Sequence, residues 1–350
     1  MRISIERAAL QSLLAATVKV VETRNTIPIL STVRLVVAGG TLTVTASDLD
    51  IEVSASTPLL DASDGAFCVD ARTLDGIVKK AVGDISLETK DGNVVVAFKR
   101  SRFTLPTLPA DDFPSMDAGK FHTEFEADLA ALFAPVKFAI STEEARYYLN
   151  GAFLHTVDGK LAAVATDGHR LALHVSDDDS TIAGAIVPRK AVDTMLPGRV
   201  SVSMSDTKIR AAAGGIVMVS KFIDGTFPDY QRILPAANDN VMIFDKAAMR
   251  AAVDRVALIS DKGRAAKFAF ANGGCEITLR GDGSEAADAV ECEATGEPVE
   301  IGFNTRYVLD TLAVMPDGEV RFALGDSGTP AMVTGGKEGL RLVIMPVRIS

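Results

Sequence analysis

Apolar residues recur along this chain at two alternating periods. Ile5-Glu6-Arg7-Ala8-Ala9-Leu10 leads into Leu13, Leu14, Thr17 and Val21. Phe125-Glu126-Ala127-Asp128-Leu129 leads into Leu132, Phe133 and Val136, and Phe244-Asp245-Lys246-Ala247-Ala248-Met249 into Ala252, Val253 and Val256. Each stretch sets apolar side chains at i, i+3, i+4 and i+7, the stripe of an amphipathic helix. The three starts lie 120 and 119 residues apart. A second series follows the same period. Val69-Asp70-Ala71-Arg72, Val187-Pro188-Arg189-Lys190 and Phe303-Asn304-Thr305-Arg306 each open a short helical pattern, and their arginines are spaced by 117 and 117. Two independent series at one period identify a triplication, with repeats at 1–119, 120–240 and 241–350.

Between the helices the pattern turns to β. Gly40–Ala46, Asn93–Phe98 and Lys160–Ala165 are rich in β-formers. Asp91-Gly92, Asp158-Gly159, Asp224-Gly225 and Asp282-Gly283 read as hairpin turns. Each repeat is therefore expected to hold two helices covering one face of roughly six to eight strands, an α+β unit. Boundaries are placed near Asp117–Lys120 and Asn238–Asn240. Pro135 falls inside an apolar stripe and is expected to end or kink that helix.

Composition narrows the function. The chain has 350 residues, 47% of them hydrophobic, and a net charge of −10, which taken whole argues against nucleic acid. The charge is uneven: the six helical windows carry a net +5 and leave −15 for the rest. Helices less acidic than their sheets point to a weakly basic helical face for phosphates, reading backbone without sequence. Cys68, Cys275 and Cys292 are too few and too scattered for a disulfide framework or a zinc site. Met1-Arg2-Ile3-Ser4-Ile5 has no signal-peptide core, and no run of 18 apolar residues exists, so a cytoplasmic protein is expected.

Asp167-Gly168-His169-Arg170, near the middle of the chain, concentrates candidate chemistry. A metal site there with His174 lacks a third close ligand. Gly325-Asp326-Ser327-Gly328 looks like the nucleophile segment of trypsin-like serine hydrolases, but no histidine sits in a matching setting and a β-turn explains the residues. Asp177-Asp178-Asp179 reads as a solvated loop. No Gly-x-x-x-x-Gly-Lys-Ser/Thr is present, so ATP hydrolysis is not expected of this chain.

Several ordered stretches carry a resemblance. They include Asn25-Thr26-Ile27-Pro28-Ile29-Leu30, Leu108-Pro109-Ala110-Asp111-Asp112-Phe113-Pro114 and Arg146-Tyr147-Tyr148-Leu149-Asn150-Gly151. Ala165-Thr166-Asp167-Gly168-His169-Arg170-Leu171-Ala172, Phe227-Pro228-Asp229-Tyr230, Ile301-Gly302-Phe303-Asn304 and Met345-Pro346-Val347-Arg348 continue it. Together they resemble the bacterial DNA polymerase III β subunit, the sliding clamp family, over essentially the whole chain.

The resemblance implies a non-catalytic processivity factor without cofactor or metal. Three clamp domains form half of a six-domain ring, closed head to tail with a second copy around duplex DNA. The implied interface residues are Phe103 and Leu105 at one end, Leu258 and Ile259 at the other. Implied DNA contacts are Arg24, Arg72, Lys79, Arg146, Tyr147, Tyr148, Arg189 and Lys190; Glu143 stands where some relatives carry a neutral polar residue. Partners, among them the polymerase III α subunit, the clamp-loader δ subunit and other polymerases or repair proteins, are implied to dock a short peptide between repeats two and three. The matching positions are Leu149, Thr166, Gly168, His169, Arg170, Leu171, Pro228, Arg232, Ile233, Asn304, Tyr307, Val343, Ile344, Met345, Pro346, Val347 and Arg348. Gly328, Pro330 and the final Ile349-Ser350 depart from the family pattern and imply an altered ligand preference. The other reading within the family is a divergent second copy serving repair or a mobile element.

Overall fold

The computed structural model describes residues 1–60, 62–116, 119–235, 238–259, 265–271, 273–281 and 283–349. Six α-helices and twenty-five strands occur among them: α1 Arg7–Thr17, α2 Ala71–Lys80, α3 Leu129–Phe133, α4 Arg189–Thr194, α5 Lys246–Ala257 and α6 Thr305–Val314. The helices start later than the apolar pattern implied. Ile5, Phe125 and Phe244 each belong to a strand that runs straight into the junction. The polar residue after the strand explains the switch. Asp70, Asp245 and Asn304 are N-caps whose side chains accept from the backbone N–H of Thr73, Ala248 and Arg306, satisfying donors that the first helical turn leaves free. α3 stops at Phe133, two residues before Pro135, as proline's missing donor requires.

The chain forms two compact units. The first comprises Met1–Ala130 and Lys190–Phe222. A twelve-stranded antiparallel sheet fills it, with Arg2–Ile5 at one edge and Thr123–Ala127 at the other. Repeat-one strands run as far as Ile51–Pro58, which pairs with Ile216–Lys221 of repeat two. α1 and α2 pack together over this sheet, burying Leu10, Leu13, Leu14 and Thr17 from one and Leu74, Ile77 and Val78 from the other. Thr17 sits on the apolar stripe because its hydroxyl donates to the Leu13 carbonyl at 2.9 Å.

The second unit comprises Ala131–Arg189 and Ile223–Ser350. Its nine-stranded sheet joins repeats two and three through the ladder between Arg170–Asp179 and Leu340–Ile344. A four-stranded sheet, ordered Ser284–Val290, Gly274–Gly281, Ala265–Ala271 and Val299–Asn304, completes it. α5 and α6 pack on each other, and Phe268, Phe270, Phe303 and Phe322 form the fully buried aromatic centre. The sheets thus cross the repeat boundaries, although each repeat alone was expected to hold its own. Pairing across the boundary covers edges that would otherwise be exposed.

Asp91-Gly92 and Asp158-Gly159 make the expected hairpin turns, with φ of +50° and +72° in the first and +50° and +78° in the second. Asp224-Gly225 does not. It lies in a loop where Gly225 fits beneath Tyr148, a Cβ there being 3.0 Å from the Tyr148 Cβ. Asp282, Ser350, and Asp117 with Ala118 at the expected first boundary lie outside the described residues.

Two outcomes follow for stability. Asp245→Ala removes the α5 cap and should cost about 1 kcal/mol, read as a lowered urea midpoint with an unchanged m-value. His155 and His174 are buried, and burial holds both below the ordinary histidine value of 6.5, against backbone carbonyls that pull upward. The unfolded chain therefore takes up protons first, so the stability these residues contribute is complete above pH 6.5 and declines as pH falls below it. Urea midpoints across this range should fall on acidification, and less steeply in His174→Asn.

Candidate functional site

The turn at Asp167–Arg170 joins the strands Lys160–Thr166 and Arg170–Asp179. Its backbone is held from within. The Thr166 hydroxyl donates to the Arg170 carbonyl at 2.7 Å and accepts from Gly168 N at 3.0 Å. Asp167 Oδ1 accepts from the N–H groups of His169 and Arg170 at 2.9 and 3.0 Å. Gly168 has φ +88°, and the Arg146 guanidinium lies where its Cβ would be, 2.5 Å from Nη1. A side chain there would strain the backbone at this positive φ and push the guanidinium aside.

Arg170 is committed to structural contacts. Its donors reach Asp167 Oδ2 at 3.0 Å, Asp310 Oδ2 at 2.5 Å and the Phe138 carbonyl at 3.0 Å. Its guanidinium carbon lies 5.0 Å from the Phe138 ring centroid and 4.7 Å from that of Tyr307. The His169 ring stacks on Tyr307 at 5.9 Å and 19°. His174 is elsewhere, buried with Nδ1 on the Leu132 carbonyl at 2.9 Å, so Asp167, His169 and His174 do not converge. Among the described residues no grouping of three or more His, Cys, Asp or Glu is arranged to hold a metal. Ser327 lies in a turn tied by Asp326 Oδ1, which accepts from Gly328 N and the Thr329 hydroxyl. His122 faces Asp206 instead.

Around this turn the structure gathers most of the expected pocket residues. Leu149, Leu171 and Val343 are buried in one apolar cluster with Phe227 and Tyr230, and Ile233 packs on its rim. Leu171 pairs directly with Val343, and Arg170 with Ile344. The tail is fastened twice: Met345 N donates to the His169 carbonyl and Val347 N to the Gly302 carbonyl, both at 2.9 Å. A cavity of about 660 Å³ beside the turn is lined by His169, Arg170, Asn304 and Tyr307 together with Glu143 and Arg189. Pro346, Val347 and Arg348 line a separate cavity of about 570 Å³ with Ser327 and Gly328. Pro228 is exposed. Arg232 is exposed too, pairing with Asp229 at 2.8 Å.

The expected DNA contacts divide. Arg24 and Arg72 are exposed without an ion pair among the described residues, and Tyr147 is 53% exposed against a half-buried Tyr148. The others are engaged. Lys79 pairs with Asp75 at 2.6 Å. Arg146 meets Glu143 through Nε at 2.9 Å and Nη2 at 2.8 Å, which lowers the Glu143 pKa. Arg189 donates to the carbonyls of Ile140 and Ser141. Lys190 is clasped by Asp48 and Glu22; burial pulls its pKa down, but the two carboxylates more than offset that and raise it. Of these four, only Lys190 subtracts from the positive excess counted along the helices: Asp75 was counted with Lys79, Arg146 lies outside the helices and Arg189 meets neutral carbonyls.

The expected interface residues lie at open sheet edges, which periodicity did not reveal. Ser101–Pro106 pairs with Asn93–Phe98, but among the described residues only Thr107 and Leu108 are paired on the other side of this strand. Phe103 is 38% exposed on that edge, Leu105 half-buried. Ser284–Val290 is the end strand of the four-stranded sheet. α5 packs on it and delivers Leu258, 83% exposed, with Ile259 half-buried beside it. The edge strand Ser-Glu-Ala-Ala-Asp-Ala-Val was missed because small and acidic residues give it a weak β signal. Phe138 and Asp310, which hold Arg170, were also missed; Asp310 is signalled only by its place four residues after Arg306.

No described helix is long and apolar enough to cross a membrane. Profiles of the DNA polymerase III beta subunit match the N-terminal domain at residues 1–117, the central domain at 126–229 and the C-terminal domain at 231–348. The beta sliding clamp of Caulobacter vibrioides is 40% identical, and that of Pseudomonas aeruginosa 37%, each with all of both chains covered. The crystal structure of the Bartonella birtlesii sliding clamp bound to griselimycin superposes with a TM-score of 0.95 at 38% identity, again covering both chains completely. The griselimycin-bound clamp of Pseudomonas aeruginosa gives 0.95 at 37%. The fold is the three-domain α+β clamp, the activity is non-catalytic, and the chain belongs to the bacterial DNA polymerase III β subunit family of sliding clamps.

Proposed function

We propose that two copies of this chain close head to tail into a ring around duplex DNA and tether replication and repair polymerases to it. The two open edges carry the reading. Ser101–Leu108 and Ser284–Val290 lie in different repeats, each with exposed apolar side chains on or beside it. Edges of this kind are stable in solution when another strand covers them. A contact between unlike ends, made twice, closes a two-copy ring. Ring closure explains how weak phosphate contacts suffice: DNA inside a ring cannot diffuse away, so a bound polymerase stays at high effective concentration. The polymerase III α subunit and the clamp-loader δ subunit are the expected partners, in the cytoplasm.

The partner site on this reading is the apolar cluster at Leu149, Leu171, Ile233 and Val343, flanked by the His169–Tyr307 stack and the tail. Apolar floors with few orienting polar groups are the usual form of a peptide groove. Griselimycin is the natural probe, since two relatives carry it in their crystal structures. Complete coverage by ordinary relatives gives no support to a divergent second copy.

Loaded by a clamp loader, the protein should be retained on nicked circular DNA and lost once that DNA is linearised. Equal retention on both would rule out encirclement. Removal of Met345–Ser350 should abolish griselimycin binding and polymerase stimulation while the dimer persists in sedimentation. A monomeric product would assign the tail to assembly instead.

A further inference from the structure

One buried polar pair joins the apolar cluster, through its member Tyr230, to His155 beside it. His155, on the strand Gly151–Val157, is 8% exposed and Tyr230 is 5% exposed. The Tyr230 hydroxyl lies 2.7 Å from His155 Nε2, and His155 Nδ1 lies 3.3 Å from the Phe153 carbonyl oxygen. A carbonyl only accepts, so Nδ1 carries the proton, Nε2 is the acceptor and the tyrosine hydroxyl donates.

The rings around this bond are ordered. His155 stacks on Phe153 at 4.7 Å, Phe153 on Phe227 at 5.1 Å, and Tyr230 meets His155 edge-on at 5.4 Å. Gly184 makes room for the stack, since a Cβ there would lie 2.3 Å from Phe153 Cζ. Phe227 and Tyr230 bracket Pro228 and Asp229, and Tyr230 opens the 3-10 turn Tyr230–Ile233 that carries Arg232 and Ile233. Among the described residues no strand is formed between Lys221 and Asn240, where Ile223 makes one isolated bridge to Ile186. Ile223 N bonds the Ile186 carbonyl and Asn238 Nδ2 the carbonyls of Ala323 and Pro330, fastening the two ends, and between them the Tyr230 hydroxyl is the directional anchor of 227–233.

We infer that the His155–Tyr230 hydrogen bond positions the 227–233 segment as one wall of the ligand groove and thereby sets affinity for apolar peptide ligands. The inference rests on the partner-site reading above. Neither residue touches the ligand. The pair acts by holding Pro228 and Ile233 in place, and a directional bond holds a wall more narrowly than apolar packing alone.

Griselimycin dissociation constants, measured by calorimetry with melting temperatures alongside, test it. Tyr230→Phe and His155→Leu should each weaken binding about tenfold, and the double variant no more than either alone, because both remove one bond. His155→Gln offers an amide oxygen to the same hydroxyl and should restore affinity to near the wild-type value. Tyr230→Phe and His155→Leu that melt lower yet bind griselimycin as tightly as wild type would overturn the inference and leave the groove standing. His155→Gln as weak as His155→Leu would also overturn it. A wild-type chain that does not bind griselimycin would remove the groove, and the inference with it.

Discussion

A strand edge without a partner exposes a row of N–H and C=O groups that only another strand satisfies well. The repeats of this chain meet by pairing such edges, Ile51–Pro58 with Ile216–Lys221 and Arg170–Asp179 with Leu340–Ile344. Both ladders join residues far apart in sequence, so the chain closes large loops before either forms, and β contacts of that kind are slow to assemble. In return the middle repeat is committed on both sides. What these pairings leave open is as informative as what they close, since among the described residues Ser101–Pro106 and Ser284–Val290 keep a free side.

The Asp167–Arg170 turn depends on the second of these ladders. Arg170 leads its strand into pairing with Ile344, and the next residue out, Met345, bonds the His169 carbonyl. Asp, His and Arg in four positions resemble a reacting cluster until their partners are named. Each charge is then already matched, by Asp310, by a ring or by the turn's own backbone. Asp167 and Arg170 so engaged, with the His169 ring stacked on Tyr307, hold a surface still, and that is what recognition of a flexible peptide requires.

Much of this was legible in the sequence. The triplication, the strand-to-helix junctions and the termination before Pro135 all follow from side-chain period and local backbone chemistry, which nearest neighbours determine. The switch at Asp70 and Asp245 was misplaced by a few residues because an apolar residue ending a strand fits the following helical stripe equally well. Less legible was everything set by distant partners. Counting charge along helices could not show that Lys190 would meet Glu22 and Asp48, or that Glu143 would chelate Arg146. Nor could periodicity show that Pro346 to Arg348 would turn away from the His169 cavity to line another.

The clasp on Lys190 has a consequence for motion. A cation already neutralised by protein carboxylates displaces few of the counterions condensed on DNA, so it adds little to the entropy that drives phosphate binding. The same holds for Arg146 and Lys79. In the ring proposed above, a lining of this kind would meet a shallow electrostatic landscape as it moves along a duplex, with little friction at each phosphate step. Its hold on DNA would then come from closure, and ionic strength would alter its speed of travel little.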